Sequence, residues 1–444
     1  MSATVNRTGP PQVRHLSAPV LIGVLLAASD APLYASVFAE TALSRRIANY
    51  DIRVTLNPDD KTLEGTELLT WTNPSTDAVT ELRFHLYLNA FRHSETTFLR
   101  DDSRRGKIGR DEWGWIDITS IALANGEDIT SRLQYIQPDD GNPDDRTVMR
   151  IPLPSPVGPS GTIRLSIAFS ARLPKAIART GYSDDFFLVG QWFPKIGVYE
   201  ARGVRGAPAG RWNCHQFHSN TEFYADFGVY DVSITLPNRF VVGATGAAVS
   251  DRRNPEGTRT ITYHAEDVHD FAWTAWPEFV EQSRRWGTTD IRMLLPRTRL
   301  RKAYRSFDAL VAAMAYMDSC VGPYPYPTFT LVSPPPGAEA TDGMEYPTLV
   351  TAGDIPLPDI PLRTAEMVTI HEFVHNYFQG MVASNEFEEA WLDEGFTQYY
   401  EGRIMDGTYG ARTSLIDWMG IRIGSGEISR GGYTGSRNPS VAPI

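Results

Sequence analysis

Residues 369–380 read TIHEFVHNYFQG, an apolar and aromatic run that contains two histidines and one glutamate. His371 and His375 are four residues apart, and in a helix this spacing places both side chains on one face, about 6 Å from each other. Glu372 lies next to His371 in the chain. A buried carboxylate without a partner is costly, so the pattern favours an ion or another group that satisfies these side chains.

The sequence around this run predicts two helices in close succession. Residues 363–381 predict a first helix that ends near Gly380, and residues 386–405 predict a second. Eighteen residues lie between His375 and Glu394, and the intervening turn folds the second helix back against the first. Glu394 is therefore expected to face the histidines. Three neighbours are expected to pack against the first helix, namely Trp391, Leu392 and Phe396.

Two histidines and one glutamate are the protein ligands of an open, catalytic zinc site. A structural zinc site is closed by a fourth protein ligand, whereas a catalytic site keeps a position for water. These residues predict one Zn²⁺ ion held by His371, His375 and Glu394, with Glu372 as the base that activates the water. The alternative, three polar residues on a buried helix, requires the motif and its downstream glutamate to coincide by chance.

Other stretches carry a resemblance beyond this motif. They are GMEYP at 343–347, WLDEGF at 391–396, NTEFYADFGVYDVSITLPNRFVVGATG at 220–246 and DVHDFAWTAWPEF at 267–279. Together with the HExxH pattern, they resemble the aminopeptidase N family of zinc metallopeptidases (gluzincins), in its bacterial Met-Glu-Tyr-Pro form. The similarity extends over nearly all of residues 50–409.

The resemblance implies the ligands and the catalytic base named above, and it adds a substrate-binding segment. Glu345 corresponds to the glutamate that pairs with the free α-amine of the substrate, and Met344 and Gly343 precede it. The implied activity is that of an aminopeptidase acting on peptides with a free N-terminus. Two positions depart from the family motif Gly-x-Met-Glu-Asn: Asp342 stands where its glycine would be, and Tyr346 replaces its asparagine.

Three alternatives stay open on the same site. A zinc endopeptidase would need the metal and the base but not Glu345, a hydrolase of a small non-peptide amide or epoxide would use the same metal, and a catalytically impaired zinc-binding or peptide-binding protein would lack an oxyanion donor. In the family, a tyrosine well downstream of the zinc glutamate stabilises the oxyanion. Tyr433 lies in a Gly/Ser-rich loop nearer than that spacing and is not expected to fill this role. We therefore expect the sequence to be a fragment without that tyrosine and without the helical C-terminal domain.

The apolar pattern upstream has a period of two, which is typical of half-buried antiparallel strands. It is clearest in YDIRVTL at 50–56, LRFHLYL at 82–88, TIRLSIAF at 162–169 and YDVSITL at 230–236. We predict a multidomain fold with an N-terminal antiparallel β-sandwich or saddle domain at 40–281. A thermolysin-like α/β zinc catalytic domain, incomplete at its C-terminus, is expected to follow at 282–444.

Three further elements are predicted in that second part. Residues 301–320 predict a helix, residues 329–333 a strand and residues 343–350 an edge strand. The apolar face of this helix is expected to contain Tyr304, Phe307, Val311, Met314 and Met317.

The first forty residues predict an exported protein. Arg7, Arg14 and His15 precede the apolar stretch 16–28, and small residues follow, so residues 1–39 read as a signal peptide cleaved after Ala35 or Ala39. The expected location is periplasmic or secreted, with an uncleaved leader as the alternative. The apolar stretch is shorter than the roughly 20 residues that span a bilayer, and no later segment predicts a stable membrane span.

Composition limits the partners. The 444 residues carry 42 Lys+Arg against 53 Asp+Glu, a net charge of −11, and no basic patch, so nucleic acid is not expected as a partner. Cys214 and Cys320 predict either one disulfide or two unrelated buried thiols. NCHQFH at 213–218 is expected to be structural rather than a second metal site. The Gly-rich residues 201–210 are expected to form a hairpin tip, because no phosphate-loop lysine or helix follows.

Overall fold

The computed structural model of the chain describes residues 41–101, 108–353 and 362–435. The predicted signal peptide at 1–39, with its cleavage sites after Ala35 or Ala39, lies outside these ranges, so export stays a prediction. Within the described ranges, no helix is long and apolar enough to cross a membrane.

Strands dominate the N-terminal part of the described chain, and a short α-helix, α1 (Thr97–Asp101), and several 3-10 helices lie among them. In chain order the strands are β1 (Ala48–Asn57), β2 (Thr62–Thr72), β3 (Val79–His85), β4 (Trp115–Leu123), β5 (Gln134–Tyr135), β6 (Val148–Val157), β7 (Thr162–Arg172), β8 (Gly181–Ser183), β9 (Phe186–Val189), β10 (Lys195–Ile196), β11 (Val198–Glu200), β12 (Arg211–Asn213), β13 (Gly228–Pro237), β14 (Val241–Ala244), β15 (Ala247–Arg253), β16 (Thr258–Val268) and β17 (Trp273–Trp276).

Seven of these strands form the largest sheet, in the order β15-β16-β13-β1-β2-β7-β4. Its buried face follows the predicted alternation, since Ile52 and Val54 of β1 are buried and Arg53 between them is exposed. The prediction of purely antiparallel strands is wrong at the centre of this sheet, where β1 runs parallel to β13 and Ile52 pairs with Val232. Alternation identifies the buried face of a strand, but it does not give the direction of a neighbour that is distant in the chain.

The predicted strand at 82–88 is also too long. Strand β3 ends at His85, and Tyr87–Phe91 form a 3-10 helix whose residues are all buried. A period of two indicates a strand only where one side is buried and the other is exposed. Because all five residues of this 3-10 helix are buried, the pattern does not identify its structure.

The C-terminal part carries the helices that position the candidate site. Its elements in chain order are β18 (Phe279–Trp286), β19 (Thr289–Pro296), α2 (Ala303–Cys320), β20 (Thr328–Val332), β21 (Leu349–Thr351), α3 (Thr364–Phe378), α4 (Trp391–Tyr409), β22 (Ile416–Trp418), β23 (Ile421–Ile423) and α5 (Ser425–Gly435). The first four of these strands form one sheet in the order β18-β19-β20-β21. A β-rich N-terminal region followed by a helix-containing region is thus confirmed. The predicted boundary at 281/282 falls inside β18, and the finer domain descriptions stay predictions.

The predicted apolar face of helix α2 is confirmed at Phe307, Met314 and Met317, which are buried, and is wrong at two positions. Tyr304 is 57% exposed and Val311 is only partly buried, so both were wrongly placed on the apolar face. The buried row repeats at intervals of four and three residues and consists of Ala303, Phe307, Leu310, Met314 and Met317. Because Ala303 occupies the buried position in the first turn, the ring of Tyr304 faces solvent.

The predicted edge strand at 343–350 exists only at its end. Strand β21 lies at the sheet edge and pairs in parallel with β20. The residues before it turn back on it, since the amide of Gly343 donates to the Thr351 carbonyl (3.0 Å) and the Thr351 amide donates to the Met344 carbonyl (2.8 Å). Gly343 has φ +68°, a left-handed conformation that favours glycine. This tight return presents Glu345 towards helix α3.

Two expectations near the C-terminus and the cysteines need correction. The segment around Tyr433 was predicted as a loop, but α5 extends through Gly435; the Tyr433 side chain and residues 436–444 lie outside the described part. Cys214 is buried and Cys320 is exposed, and both are free thiols. The disulfide alternative is therefore wrong, and only one of the two thiols is buried.

Candidate metal centre

Helix α3, which carries His371, Glu372 and His375, is held in place through its apolar residues. Ile370 and Phe373 are fully buried, and the Phe373 ring meets Phe329 of β20 edge-on, with 5.4 Å between ring centroids. The amides of Gln379 and Gly380 both donate to the His375 carbonyl at 2.8 Å and end the helix where the sequence predicts. The backbone beneath both histidines is therefore fixed by packing and hydrogen bonds.

The structure brings the three predicted metal ligands together. The Nε2 atoms of His371 and His375 are 3.0 Å apart. Glu394 Oε2 lies 3.3 Å from His371 Nε2 and 3.8 Å from His375 Nε2. Two imidazole nitrogens and one carboxylate oxygen that converge on one point form the donor set of a catalytic zinc site, so these residues fit that ion.

Each histidine is oriented by a carboxylate on its other ring nitrogen. His371 Nδ1 lies 3.0 Å from Glu401 Oε2, and His375 Nδ1 lies 2.6 Å from Asp393 Oδ1. Such bonds direct the Nε2 lone pairs towards a metal. Sequence reasoning missed both carboxylates, although Asp393 adjoins Glu394 and Glu401 follows it by two helical turns.

Glu372 is buried beside the ligands but is available to react. Its Oε2 atom has no hydrogen-bond partner among the described residues. Burial raises the pKa of Glu372 to about 7, against the opposing effect of His371 and His375. A carboxylate with a pKa near neutrality is suited to accept a proton and to give it back.

The GMEYP segment reaches the same group of side chains. One carboxylate oxygen of Glu345 lies within 4.8 Å of ligand atoms of both Glu372 and His375. Glu345 is 6% exposed, and burial raises its pKa to about 8 although His375 and Arg179 oppose this. A Cβ atom at Gly343 would lie 3.7 Å from Glu372 Oε1, so the backbone of this segment passes close to the candidate base.

Two charged residues from the β-rich region also face this group, and sequence reasoning missed them. Arg179 forms an ion pair with Glu222, which raises the pKa of the guanidinium although burial opposes this. The positive charge of Arg179 in turn lowers the pKa values of Glu345 and Glu372 relative to burial alone. The Arg179 amide donates to the Ala340 carbonyl (2.9 Å), just before GMEYP. These contacts join residues far apart in the chain, so no local pattern signals them.

Helix α4 begins at Trp391, five residues later than predicted. The expected packing against α3 holds for Phe396, whose ring stacks on Phe378 with centroids 5.3 Å apart. It does not hold for Trp391, which is 53% exposed. Glu394 faces the histidines from the first turn of α4, as expected.

Comparison with known proteins agrees with this geometry. The peptidase family M1 domain matches residues 306–425, a segment that contains the three ligands, the base and Glu345. Residues 306–425 belong to peptidase family M1. The resemblance drawn from the HExxH and GMEYP stretches is confirmed at the level of the family.

One relative of this M1 domain is aminopeptidase B from Rattus norvegicus, 34% identical over 110 residues, which are 23% of this chain and 16% of the relative. The match thus spans under a fifth of the length of that relative. Aminopeptidase A of Legionella pneumophila, solved with aspartic acid, superposes with a TM-score of 0.57 at 13% identity, over 86% of this chain and 40% of that one. A mutant of an M1 zinc metallopeptidase from Deinococcus radiodurans superposes with a TM-score of 0.55 at 17% identity. This superposition covers 93% of this chain and 80% of that one. At these identities, the two structures show a shared fold.

Proposed function

We propose that this M1 domain serves a zinc-dependent aminopeptidase that hydrolyses the N-terminal peptide bond of peptides. The observation that carries the proposal is the convergence of His371, His375 and Glu394, with the buried carboxylates of Glu372 and Glu345 beside them. The family match, and relatives whose names describe aminopeptidases, support the same activity.

The proposed reaction divides between the ion and the side chains. Zinc, when bound, supplies a Lewis acid that polarises the scissile carbonyl and lowers the pKa of water towards about 7. Glu372 accepts the proton of the attacking water and delivers it to the leaving amine. Glu394, with a pKa below its ordinary value because the histidines outweigh the effect of burial, stays ionised as a ligand.

Glu345 determines which end of the substrate binds at the site. Its buried carboxylate is held next to Glu372 and His375, so a peptide ammonium bound to it places the first peptide bond at the metal ligands. Burial opposes the ionised form of Glu345, and a substrate ammonium bound to this carboxylate favours it. The free N-terminus is therefore the feature that we expect the enzyme to recognise.

The substitution Glu372→Gln tests the reaction. It preserves the size of the side chain and leaves the three ligands unchanged, but it removes the basic carboxylate. We expect the variant to bind zinc with wild-type stoichiometry and to lose hydrolysis of aminoacyl arylamides by a factor of about 10² to 10⁴. Metal content by elemental analysis and initial rates on the same preparation give both readouts.

Wild-type turnover in Glu372→Gln contradicts the proposed base. Peptides with a free amine and their N-acetylated forms provide the second comparison, because an aminopeptidase cleaves only the former and an endopeptidase cleaves both. A zinc-bound chain that cleaves neither is a binding protein, and the proposal of catalysis is then wrong.

A further inference from the structure

A short acidic segment leads directly into helix α4 and its metal ligand. This lead-in segment, residues 385–390, is folded as a turn in which Asn385 Oδ1 accepts the amides of Phe387 (3.0 Å) and Glu388 (3.2 Å). The Glu394 amide donates to the Ala390 carbonyl at 3.0 Å, so the segment passes into the first helical turn without a break. No side chain caps the helix at Ala390. The start of α4 must therefore be held by contacts that the lead-in segment makes.

Two of these contacts come from the hairpin tip of the β-rich region. Residues 201–210 connect the paired strands β11 and β12, as the sequence predicts. From this tip, Arg205 Nη2 lies 2.7 Å from Glu388 Oε2, and Arg205 Nε lies 2.9 Å from Glu389 Oε2. One guanidinium thus binds two consecutive carboxylates of the lead-in segment.

Arg205 is itself held in place by a buried residue at the end of strand β11. Its Nη1 atom lies 3.1 Å from Oε1 of Glu200, whose side chain is fully buried. The backbone of Arg205 has φ +47°, a conformation that is unfavourable for a residue with a side chain. Strain of this kind persists only where surrounding contacts enforce it, and it concentrates at functional positions. The hairpin therefore presents a preorganised cation rather than a mobile surface arginine.

A second set of contacts reaches Glu388 from the NCHQFH stretch. Asn213 Nδ2 and His215 Nε2 each lie 3.0 Å from Glu388 Oε1. The other ring nitrogen of His215 lies 2.7 Å from Asp139 Oδ1. This histidine is therefore part of a hydrogen-bonded network rather than a ligand of a second metal, in keeping with its predicted structural role.

We propose that Arg205 is a positioning residue for the metal centre, acting through Glu388 and Glu389. The first turn of α4 contains both Glu394, which is a ligand, and Asp393, which orients His375. Metal and catalytic groups must be held within about 0.5 Å of the productive geometry, so a shift of the lead-in segment disturbs two contacts at once. This inference rests on the proposed zinc site. It adds Arg205, a residue outside the matched M1 domain, as a determinant of the affinity of that site for zinc.

The test measures zinc affinity in the intact chain rather than turnover. We expect Arg205→Ala to raise the zinc dissociation constant about 10-fold, comparable to the lower end of effects from groups that orient ligands. Competition with a chromophoric chelator gives the constant directly. Glu388 and Glu389 are partly exposed, and the buried carboxylate of Glu200 keeps its ion pair with Arg211 (2.9 Å). The variant is therefore expected to stay folded, and near-ultraviolet circular dichroism verifies this.

Arg211→Ala is the matched control. Arg211 lies at the base of the same hairpin and pairs with Glu200 at 2.9 Å, but it approaches Glu388 only to 4.0 Å. We expect its zinc constant to stay within twofold of wild type. Equal weakening by both substitutions assigns the effect to the hairpin fold and overturns the proposal, as does an unchanged constant in Arg205→Ala. Absence of stoichiometric zinc in the wild-type chain contradicts the metal site itself and is distinguished by that measurement.

A triple variant sharpens the assignment. If Arg205 acts through the lead-in segment, adding Arg205→Ala to Glu388→Ala/Glu389→Ala produces little further loss of zinc affinity, because the acceptors of the guanidinium are already removed. Additive losses mean that Arg205 acts by another route and contradict the proposal.

Discussion

Asp393 and Glu401, which bind the Nδ1 atoms of the two histidines, differ in burial. This difference predicts which carboxylate contributes more to zinc affinity. Asp393 is 1% exposed and its Oδ2 atom has no partner among the described residues, whereas the Glu401 side chain is 12% exposed. A hydrogen bond in a buried environment is less screened, so the Asp393–His375 contact is expected to orient its histidine more strongly.

Substitution of Asp393 tests this at the level of one residue. Asp393→Asn keeps an oxygen that can accept the Nδ1 hydrogen of His375, so we expect a small rise in the zinc dissociation constant. Asp393→Leu removes the acceptor and is expected to weaken zinc binding about 10- to 100-fold. Chelator competition on both variants measures the difference. Equal constants for Asp393→Leu and wild type exclude an orienting role.

The sequence predicted the metal residues better than it predicted what surrounds them. His371, His375 and Glu394 lie on consecutive helices at diagnostic spacing, so local periodicity was sufficient. Arg179 and Glu222 come from loops of the β-rich region and meet the site only through the folded chain. A pattern in one sequence reports neighbours along a helix or strand but not such long-range contacts.

At the scale of elements, the end of strand β9 and the GMEYP return are tightly packed together. Gly190 follows β9, and a Cβ atom built on it would lie 1.8 Å from the Tyr346 hydroxyl. Tyr346 is 2% exposed, and its hydroxyl donates to the Arg179 carbonyl (3.4 Å), so its ring has little room to move. The position of Glu345 therefore depends on the absence of a side chain at Gly190.

Gly190→Ala is expected to destabilise the fold by about 1–3 kcal/mol, the usual cost of overpacking. By displacing Tyr346 it should also raise KM for aminoacyl arylamides, since Glu345 is the neighbouring residue. Urea unfolding and steady-state kinetics measure the two effects. Gly158→Ala is the control, because nothing lies within 4 Å of a Cβ atom at that glycine. Matching results for the two variants contradict the packing argument.

Elements were predictable where one face alone is buried. Strand β1 follows its pattern closely, because buried and exposed residues alternate along it. Helix α3 was predictable from its length and its end near Gly380, although residues 372–377 are all buried. The 3-10 helix at Tyr87–Phe91 is buried throughout, and the direction of β13 relative to β1 depends on the whole intervening chain. Those two features required the tertiary structure.

At the scale of the whole molecule, stability should depend on pH through His218. Its Nδ1 atom lies 2.8 Å from Asp101 and its Nε2 atom 3.5 Å from Asp139. The nearby carboxylates of Asp139 and Asp101 raise the pKa of His218 to about 9, although burial opposes this. A raised histidine pKa contributes stability that is fully present below its ordinary value near 6.5 and is lost as the pH rises through about 9.

We therefore expect His218→Gln to lower the free energy of unfolding by roughly 1–3 kcal/mol at pH 6 and by much less at pH 10. Urea unfolding of variant and wild type at both pH values gives the two differences. His93→Gln serves as the comparison, because His93 forms no ion pair within the described ranges. A loss that is the same at pH 6 and pH 10 shows that His218 contributes packing rather than charge.

The parallel pairing of β1 with β13 has a consequence for how the chain folds. Strand β1 is near the beginning of the described residues, but one of its edges pairs with β13, which begins only at Gly228. Contacts between such distant segments slow folding, because a long loop must close before they form. During synthesis, β1 can pair with β2 early, yet the centre of the largest sheet is completed only after residue 237 has left the ribosome. Until then, the open edge of β1 is exposed to wrong partners, and this interval is when the nascent chain is most prone to aggregate.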